Sequence, residues 1–336
     1  MTTRFRLAAF VALVAVVAGA ATAYAVHDRR QYEAVHTRPP SVPTATALPT
    51  GPRIVFQHTG LDNHYGMVAM VPLSDPGGPR SFTEQACDRV YASATNQTCL
   101  QIQRGVTTSY TMLQLNRDWD VVERDPLPGI PSRTRISHDG SLVADTTFVS
   151  GHSYMQVGFS TDTEIRHFGG SSYGNLEKFT LVIDGREVHP LDRNVWGVTF
   201  ARDDDTFYAT VGTGGHTYLV KGSLRARTLT SVRENAECPS LSPDGSHIAY
   251  KVNVGHGQTF WTPAVLDLRT GVQTLLTGET RNIDDQMEWL DDHTILYGVP
   301  RSDQAGVDDV WALRTTTPDA PPRLLIKDAW SPAVVR

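Results

Sequence analysis

From residue 53 onward the apolar residues come in short runs, not in long periodic stretches. Ile54-Val55-Phe56-Gln57-His58, Met67-Val68-Ala69-Met70-Val71, Tyr110–Leu115 and Thr217-Tyr218-Leu219-Val220 are set off by clusters of Gly, Asp, Ser and Pro. Runs of this length, rich in β-branched and aromatic residues and cut by turn formers, predict strands. Beyond the N-terminal run no ten-residue stretch has the 3.6-residue apolar period of a surface helix. Glu237–Lys251 shows the unit most clearly. A strand runs into Ser242-Pro243-Asp244-Gly245, and apolar residues resume at Ile248-Ala249-Tyr250. Pro presets φ for the first turn position, Asp bonds back to nearby backbone, and Gly accepts φ > 0.

The unit recurs. Ser132–Ala144, Trp196–Ala209 and Gln286–Tyr297 repeat its pattern, and a degenerate copy starts at Cys87. With Ile136, Phe200, Leu241 and Trp289 taken as equivalent, the intervals are 64, 41 and 48 residues. Propeller blades of four strands take about 40 to 50 residues each. The long interval implies one blade with an insertion near Ser160 to Lys178. Asp328–Val335 opens the motif without a hairpin to follow, and Ile54–His58 supplies a second strand without a first. Joined, they form a sixth blade from both ends of the chain, which removes exposed sheet edges. Ile54 to Val335 is 282 residues, or 47 per blade. The fold class expected is all-β: a six-bladed β-propeller over residues 53–336.

The string Pro239-Ser240-Leu241-Ser242-Pro243-Asp244-Gly245-Ser246-His247-Ile248-Ala249-Tyr250 resembles the propeller repeat of TolB-type proteins, a P-x-W-S-P-D-G core followed by I-A-F or I-A-Y. Val265–Gly271 is similar to the D-L-x-x-G third strand and turn of that repeat. Leu241 stands where the family prefers Trp, whereas Phe200 and Trp289 keep an aromatic. The resemblance covers about residues 53 to 335 and is strong in the fifth blade only. The whole is similar to exported or membrane-anchored TolB-like proteins of actinobacteria, mostly of unassigned function. TolB itself has an N-terminal α/β domain with no counterpart expected here, so its role in the Tol–Pal system is not implied.

Ahead of the repeats, Leu7 to Val26 is a run of 20 residues without a charge, preceded by Arg4 and Arg6. Its length suits a membrane-spanning helix. Ala23-Tyr24-Ala25 also offers an A-x-A cleavage site. Residues 1–30 are therefore expected to be a signal-anchor or signal peptide, with the remainder extracytoplasmic, anchored in the cell membrane or secreted after cleavage. Residues 31–52, with Pro39, Pro40, Pro43, Pro49 and Pro52, are expected to form a partly extended linker.

Charge and cysteine content narrow the partners. Net charge is −6, with basic and acidic residues interspersed, which argues against nucleic acid. Three cysteines are too few for a disulfide scaffold, and no C-x-x-C pair is present. Cys87 and Cys99 flank a short hairpin. They either bond across neighbouring strands, as an oxidising compartment favours, or pack as two thiols. Cys238 is then the odd one, packed and inert.

Catalytic motifs are scarce. Gly170-Ser171-Ser172-Tyr173-Gly174 matches G-x-S-x-G, but a nucleophile elbow needs a strand, a sharp turn and a helix. Here a Gly/Ser-rich loop is expected. His138, His152, His167, His189, His216, His247, His256 and His293 are scattered without metal-ligand spacing. Asp203-Asp204-Asp205 and Asp291-Asp292 fall where other blades carry Asp139-Gly140 and Asp244-Gly245, so turn formation accounts for them.

The loops leading into the innermost strands are more informative, because they surround one mouth of the channel. Arg193, Asn194, Glu237, Asp284, Asp285 and Gln286 are the candidate binding residues there. Several acids around one channel suit a cation or a basic peptide segment, against a solvated polar rim. Trp196, Trp289 and Trp330 read as inter-blade packing. The expected function is non-enzymatic: an interaction module for an unknown protein or envelope component. No catalytic residue, resident metal or cofactor is assigned. The alternative is a hydrolase or lyase that uses a divalent cation held at the channel mouth.

Overall fold

The computed structural model describes residues 3–105, 107–149 and 160–336. Residues 53–336 form six antiparallel blades. Blade 1 pairs Ala329–Val335, Arg53–His58, Met67–Pro72 and Ser81–Ala86, from the inside out. Blade 2 runs Arg89–Ala92, Asn96–Gln103, Ser109–Asn116 and Val121–Pro126. Blade 3 runs Ile130–Ile136, Leu142–Val149, Ser160–His167 and Ser172–Asn175. Blade 4 runs Asn194–Phe200, Thr206–Thr213, His216–Ser223 and Thr228–Glu234. Blade 5 comprises Glu237–Leu241, His247–Asn253, Trp261–Asp267 and Gln273–Leu275. Blade 6 comprises Glu288–Asp291, Thr294–Pro300, Asp308–Arg314 and Arg323–Ile326. Each innermost strand touches those of the two neighbouring blades, around a closed ring.

The insertion is not where the spacing placed it. Ser160–His167 and Ser172–Asn175 are ordinary third and fourth strands of blade 3. The extra residues follow them. Leu176–Lys178 is a 3-10 turn, and the hairpin Thr180–Ile183/Arg186–Val188 joins the outer edge of blade 4 by parallel pairing of Thr180–Val182 with Thr228–Thr230. Polar Ser, Thr and Asp positions in blade 3 hid its strand pattern.

The core lies between the blades. Val55, Met70, Leu113 and Ala333 join blades 1 and 2 in one buried cluster. Ala249, Val265, Trp289 and Ile295 join blades 5 and 6 in another. Apolar residues therefore face both ways on many strands, which explains runs such as Met67–Val71 without alternation. The inner turns follow the expected chemistry. Ser242 Oγ donates to Asp244, which accepts the Ser246 backbone N–H, and Gly245 sits at φ +74°. Asp203 accepts the N–H groups of Asp205 and Thr206, and Asp291 that of His293, so these acids serve their turns.

The N-terminal helix spans Thr3–His36 and so passes the boundary expected at residue 30. Among the described residues no helix is long and apolar enough to cross a membrane. The run is rich in Ala and Val, with only two Leu, and charged residues close it on both sides. The Pro-rich segment is more than a free linker. Ser41 N–H donates to Asp62, Ala45 N–H to the Arg80 carbonyl, and Ser81 Oγ to the Ala47 carbonyl, so the segment lies along blade 1. Cys87 and Cys99 are joined, with Cα atoms 5.3 Å apart, and Cys238 is a buried free thiol.

Two predictions follow from this architecture. Deleting residues 329–336 removes the inner strand paired with Arg53–His58 and leaves that row of backbone groups unpaired. Circular dichroism is expected to show no cooperative β unfolding. Removing residues 1–37, by contrast, spares the Ser41 and Ala45 contacts and changes stability by less than about 0.5 kcal/mol. In blade 5, Gly245→Val forces a β-branched residue to positive φ and costs about 1–3 kcal/mol, whereas Arg269→Ala at the exposed turn stays within about 0.5 kcal/mol. Urea denaturation of the two variants measures both.

Candidate functional site

The register of the blades defines the site. Ala92, Ile136, Phe200 and Leu241 each close the inner hairpin of their blade, and Val334 and Trp289 hold the matching positions in blades 1 and 6. Three residues earlier stand Arg89, Arg133, Gly197, Cys238, Ser331 and Gln286. These six positions form one level of the channel wall. Gly197, Cys238 and Ser331 have φ of +68°, +52° and +53°. The left-handed residue makes a bulge in the inner strand, which re-aims the backbone at the mouth. At Gly197 a Cβ would stand 2.8 Å from the Cα of Cys238, so only Gly lets blades 4 and 5 approach there.

Above this level opens the mouth at which the innermost strands begin. It holds a cavity of about 600 Å³ whose wall includes Arg89, Arg133, Trp196, Glu237, Lys251 and Trp261. Lys251 is the pivot. The blade 5 bulge shifts the register by one, so that Lys251 pairs with Glu237 across the hairpin. Its side chain is 3% exposed, and Nζ lies 2.5 Å from Asp284, 3.9 Å from Glu237 and 4.7 Å from the Trp261 ring centre. Burial pushes the Glu237 carboxyl up to about 7, and Asp284 adds to the rise against the pull of Lys251. Burial also acts to raise Asp284, but the Lys251 charge and hydrogen bond hold it below the usual carboxylate range. Lys251 thus belongs chiefly to Asp284 at the rim.

Below the ring of six, the channel is crossed. Arg135 of blade 3 pairs with Glu288 of blade 6 and donates to the Met287 carbonyl at 2.5 Å. Tyr91 donates to Glu288 at 3.2 Å, and the Arg135 guanidinium lies 4.6 Å from the Tyr91 ring centre. A separate cavity of about 310 Å³ lies on the side of the inner turns.

Of the six residues named from sequence, Asn194, Glu237 and Asp284 line the upper cavity. The other three serve the scaffold. Arg193 donates to the Phe179 carbonyl and pins the insertion. Asp285 accepts the Gly298 N–H. Gln286 donates to the Val198 and Pro239 carbonyls and ties blade 6 to blades 4 and 5. Trp289 donates to the Ser240 carbonyl and Trp330 packs over Gly298, as inter-blade packing requires, whereas Trp196 lines the cavity. Sequence reasoning missed Arg89, Arg133, Lys251 and Trp261. The available signal was the repeat alignment itself, which places Arg89 and Arg133 level with Cys238.

The G-x-S-x-G match does not form a nucleophile elbow. Ser172 lies in a blade 3 edge strand with its hydroxyl on Glu164, and only the short 3-10 turn Leu176–Lys178 follows it, not the α-helix of a nucleophile elbow. His152 lies outside the described residues. Among the described residues no group of three or more His, Cys, Asp or Glu side chains is placed to hold a metal ion.

The raised Glu237 gives a pH test. The folded chain holds the Glu237 proton more tightly than the unfolded chain does. This contribution to stability is present at low pH and is lost as pH rises through about 7. Glu237→Gln keeps the neutral form. Relative to the unaltered chain it is expected to gain on the order of 1–3 kcal/mol between pH 5 and pH 8. Parallel denaturation profiles would mean that Glu237 is ionised against Lys251 throughout.

Solved structures similar to the chain share its architecture. TolB from Acinetobacter baumannii aligns with a TM-score of 0.58 and 13% identity, over 85% of this chain and 67% of that one. The putative TolB from Agrobacterium tumefaciens gives 0.50 and 10%, over 82% and 88%. A chain of the nidogen/laminin complex gives 0.55 and 10%, over 84% and 98%. No protein-family model and no curated protein matches the chain. At such identities the likeness speaks for fold alone. In fold, the chain is a TolB-like six-bladed β-propeller.

Proposed function

We propose that this propeller is a non-catalytic interaction module that takes its partner, a protein or envelope component, at the upper mouth of the channel. The observation that carries the reading is the 600 Å³ cavity there, walled by Trp196 and Trp261 and by the charges of Lys251, Asp284 and Glu237. A concave site with aromatic walls and a few fixed polar groups is built for recognition. The Arg135–Glu288 pair crosses the axis below it, so the mouth is a receptacle and not a conduit. We place the propeller outside the cytoplasm, reached through the N-terminal helix as an anchor or a cleaved leader. The charge-free run, the A-x-A site and the Cys87–Cys99 bridge support that location.

A photo-cross-linking residue at Thr217, on the cavity wall, is expected to give one discrete adduct in the source cells. The same group at Arg269, in the outer turn of blade 5, is expected to give none. Equal labelling from both positions would remove the mouth as the binding surface.

A further inference from the structure

We propose that the upper mouth holds a carboxylate-binding site formed by the guanidinium groups of Arg89 and Arg133, and that it takes the free carboxylate end of a peptide chain. The inference rests on the reading of the mouth as the binding end and specifies what is bound.

The two arginines stand at the same level of neighbouring blades, and both line one cavity. They are close enough to act on each other: burial, then the Arg133 charge, lowers Arg89 to about 10 against the pull of Asp285, Asp308 and Asp88. Two cations converging on one space call for an anion between them. Their hydrogen-bonding capacity is largely unused. A guanidinium offers five N–H donors in a planar fork. Among the described residues Arg89 makes no hydrogen bond and no ion pair within 4.0 Å, and its guanidinium lies 5.0 Å from the Trp330 ring centre. Arg133 donates from Nη1 to the Ser132 carbonyl at 2.9 Å and also meets the Cys238 side chain, and its buried Nε has no partner. Buried donors without acceptors are costly. Arg135, Arg166 and Arg301, by contrast, each hold one or more carboxylates directly.

Nearby acids do not fill this role. Asp284 is engaged by Lys251, and Asp285 accepts the Gly298 N–H. Asp308 acts on Arg89 from beyond ion-pair distance, and burial, with Asp285 adding, pushes its own carboxyl up to about 6. These groups balance the two cations at a distance and leave most of the fork donors without a carboxylate. A planar two-oxygen acceptor matches a guanidinium fork in a way that a single carbonyl does not. The rest of the ligand meets Trp196, Trp261 and Phe148, walls suited to an apolar side chain next to the terminal carboxylate. A hydroxyl-rich sugar acid would share the carboxylate but present no apolar side chain to those three walls.

The test uses the full chain and three probes: N-acetyl-Ala-Ala-Leu with a free carboxylate, the same peptide as its amide, and digalacturonate. Binding is read from the fluorescence of the cavity tryptophans. The free acid is expected to bind at least about tenfold more tightly than the amide, as charge-assisted hydrogen bonds imply. Arg89→Gln and Arg133→Gln should each abolish that preference while leaving the weak binding of the amide. Equal binding of acid and amide, or a preference that survives in Arg133→Gln, overturns the proposal. Tighter binding of digalacturonate than of the peptide acid overturns the peptide source. Thermal unfolding separates binding from structural support. Removing one of two mutually repelling, under-bonded cations should hold or raise the midpoint of Arg133→Gln, and a marked fall overturns the proposal. Acetate competition in the unaltered chain gives a readout free of any variant: acetate should displace the acid peptide and not the amide. Acid preference without a Thr217 adduct would sink the interaction-module reading alone, and an adduct without acid preference would sink this inference alone.

Discussion

The structure depends on one pairing, that of Ala329–Val335 with Arg53–His58. A blade buries its faces only against two neighbours, so a ring of blades has no stable open form that is not missing an interface. Joining the chain ends inside blade 1 supplies the last interface and hides the inner edge. The seam is reinforced by polar groups that would be costly to leave unmet. Arg80 donates to the Lys327 and Asp328 carbonyls just before the last strand and to His58 Nδ1. His58 in turn donates from Nε2 to Asp62, which also receives the Ser41 N–H. Burial, then the Arg80 charge, lowers the His58 pKa and keeps the ring neutral, which that pattern of bonds requires. The Pro-rich segment is thus fastened to the seam.

A closed ring leaves a channel, and the channel residues decide what the protein can do. The Arg135–Glu288 pair ties opposite blades 3 and 6 across the axis. Its net worth against an apolar plug is small, because both ions are desolvated. Its geometric effect is large, since it separates the two cavities. The upper mouth thereby becomes a pocket with the paired groups beneath it, and Arg89 and Arg133, which hold no carboxylate directly, stand at the next level.

The fold was legible because its determinants are local. Ser-Pro-Asp-Gly fixes a turn within four residues, and strand runs bounded by turn formers repeat at blade length. Ring closure was legible too, because each end of the chain carried half of one motif. The insertion was misplaced because blade 3 builds its outer strands from Ser, Thr and Asp, whose burial depends on a neighbouring blade that a linear reading does not see.

The site divided differently. Sequence alone determined which loops surround the mouth, and hence Asn194, Glu237 and Asp284. It could not tell these from Arg193, Asp285 and Gln286, which sit in the same loops but turn to carbonyls and an N–H of the scaffold. Only the tertiary structure decided that Lys251 faces Glu237, because a one-residue bulge at Cys238 reverses the register that simple hairpin counting gives. Only the tertiary structure set Arg89 and Arg133, 44 residues apart in the chain, on one cavity wall with no carboxylate held directly by either. A hairpin is encoded by neighbours in sequence. The company a side chain keeps across a ring of blades is decided when the ring closes.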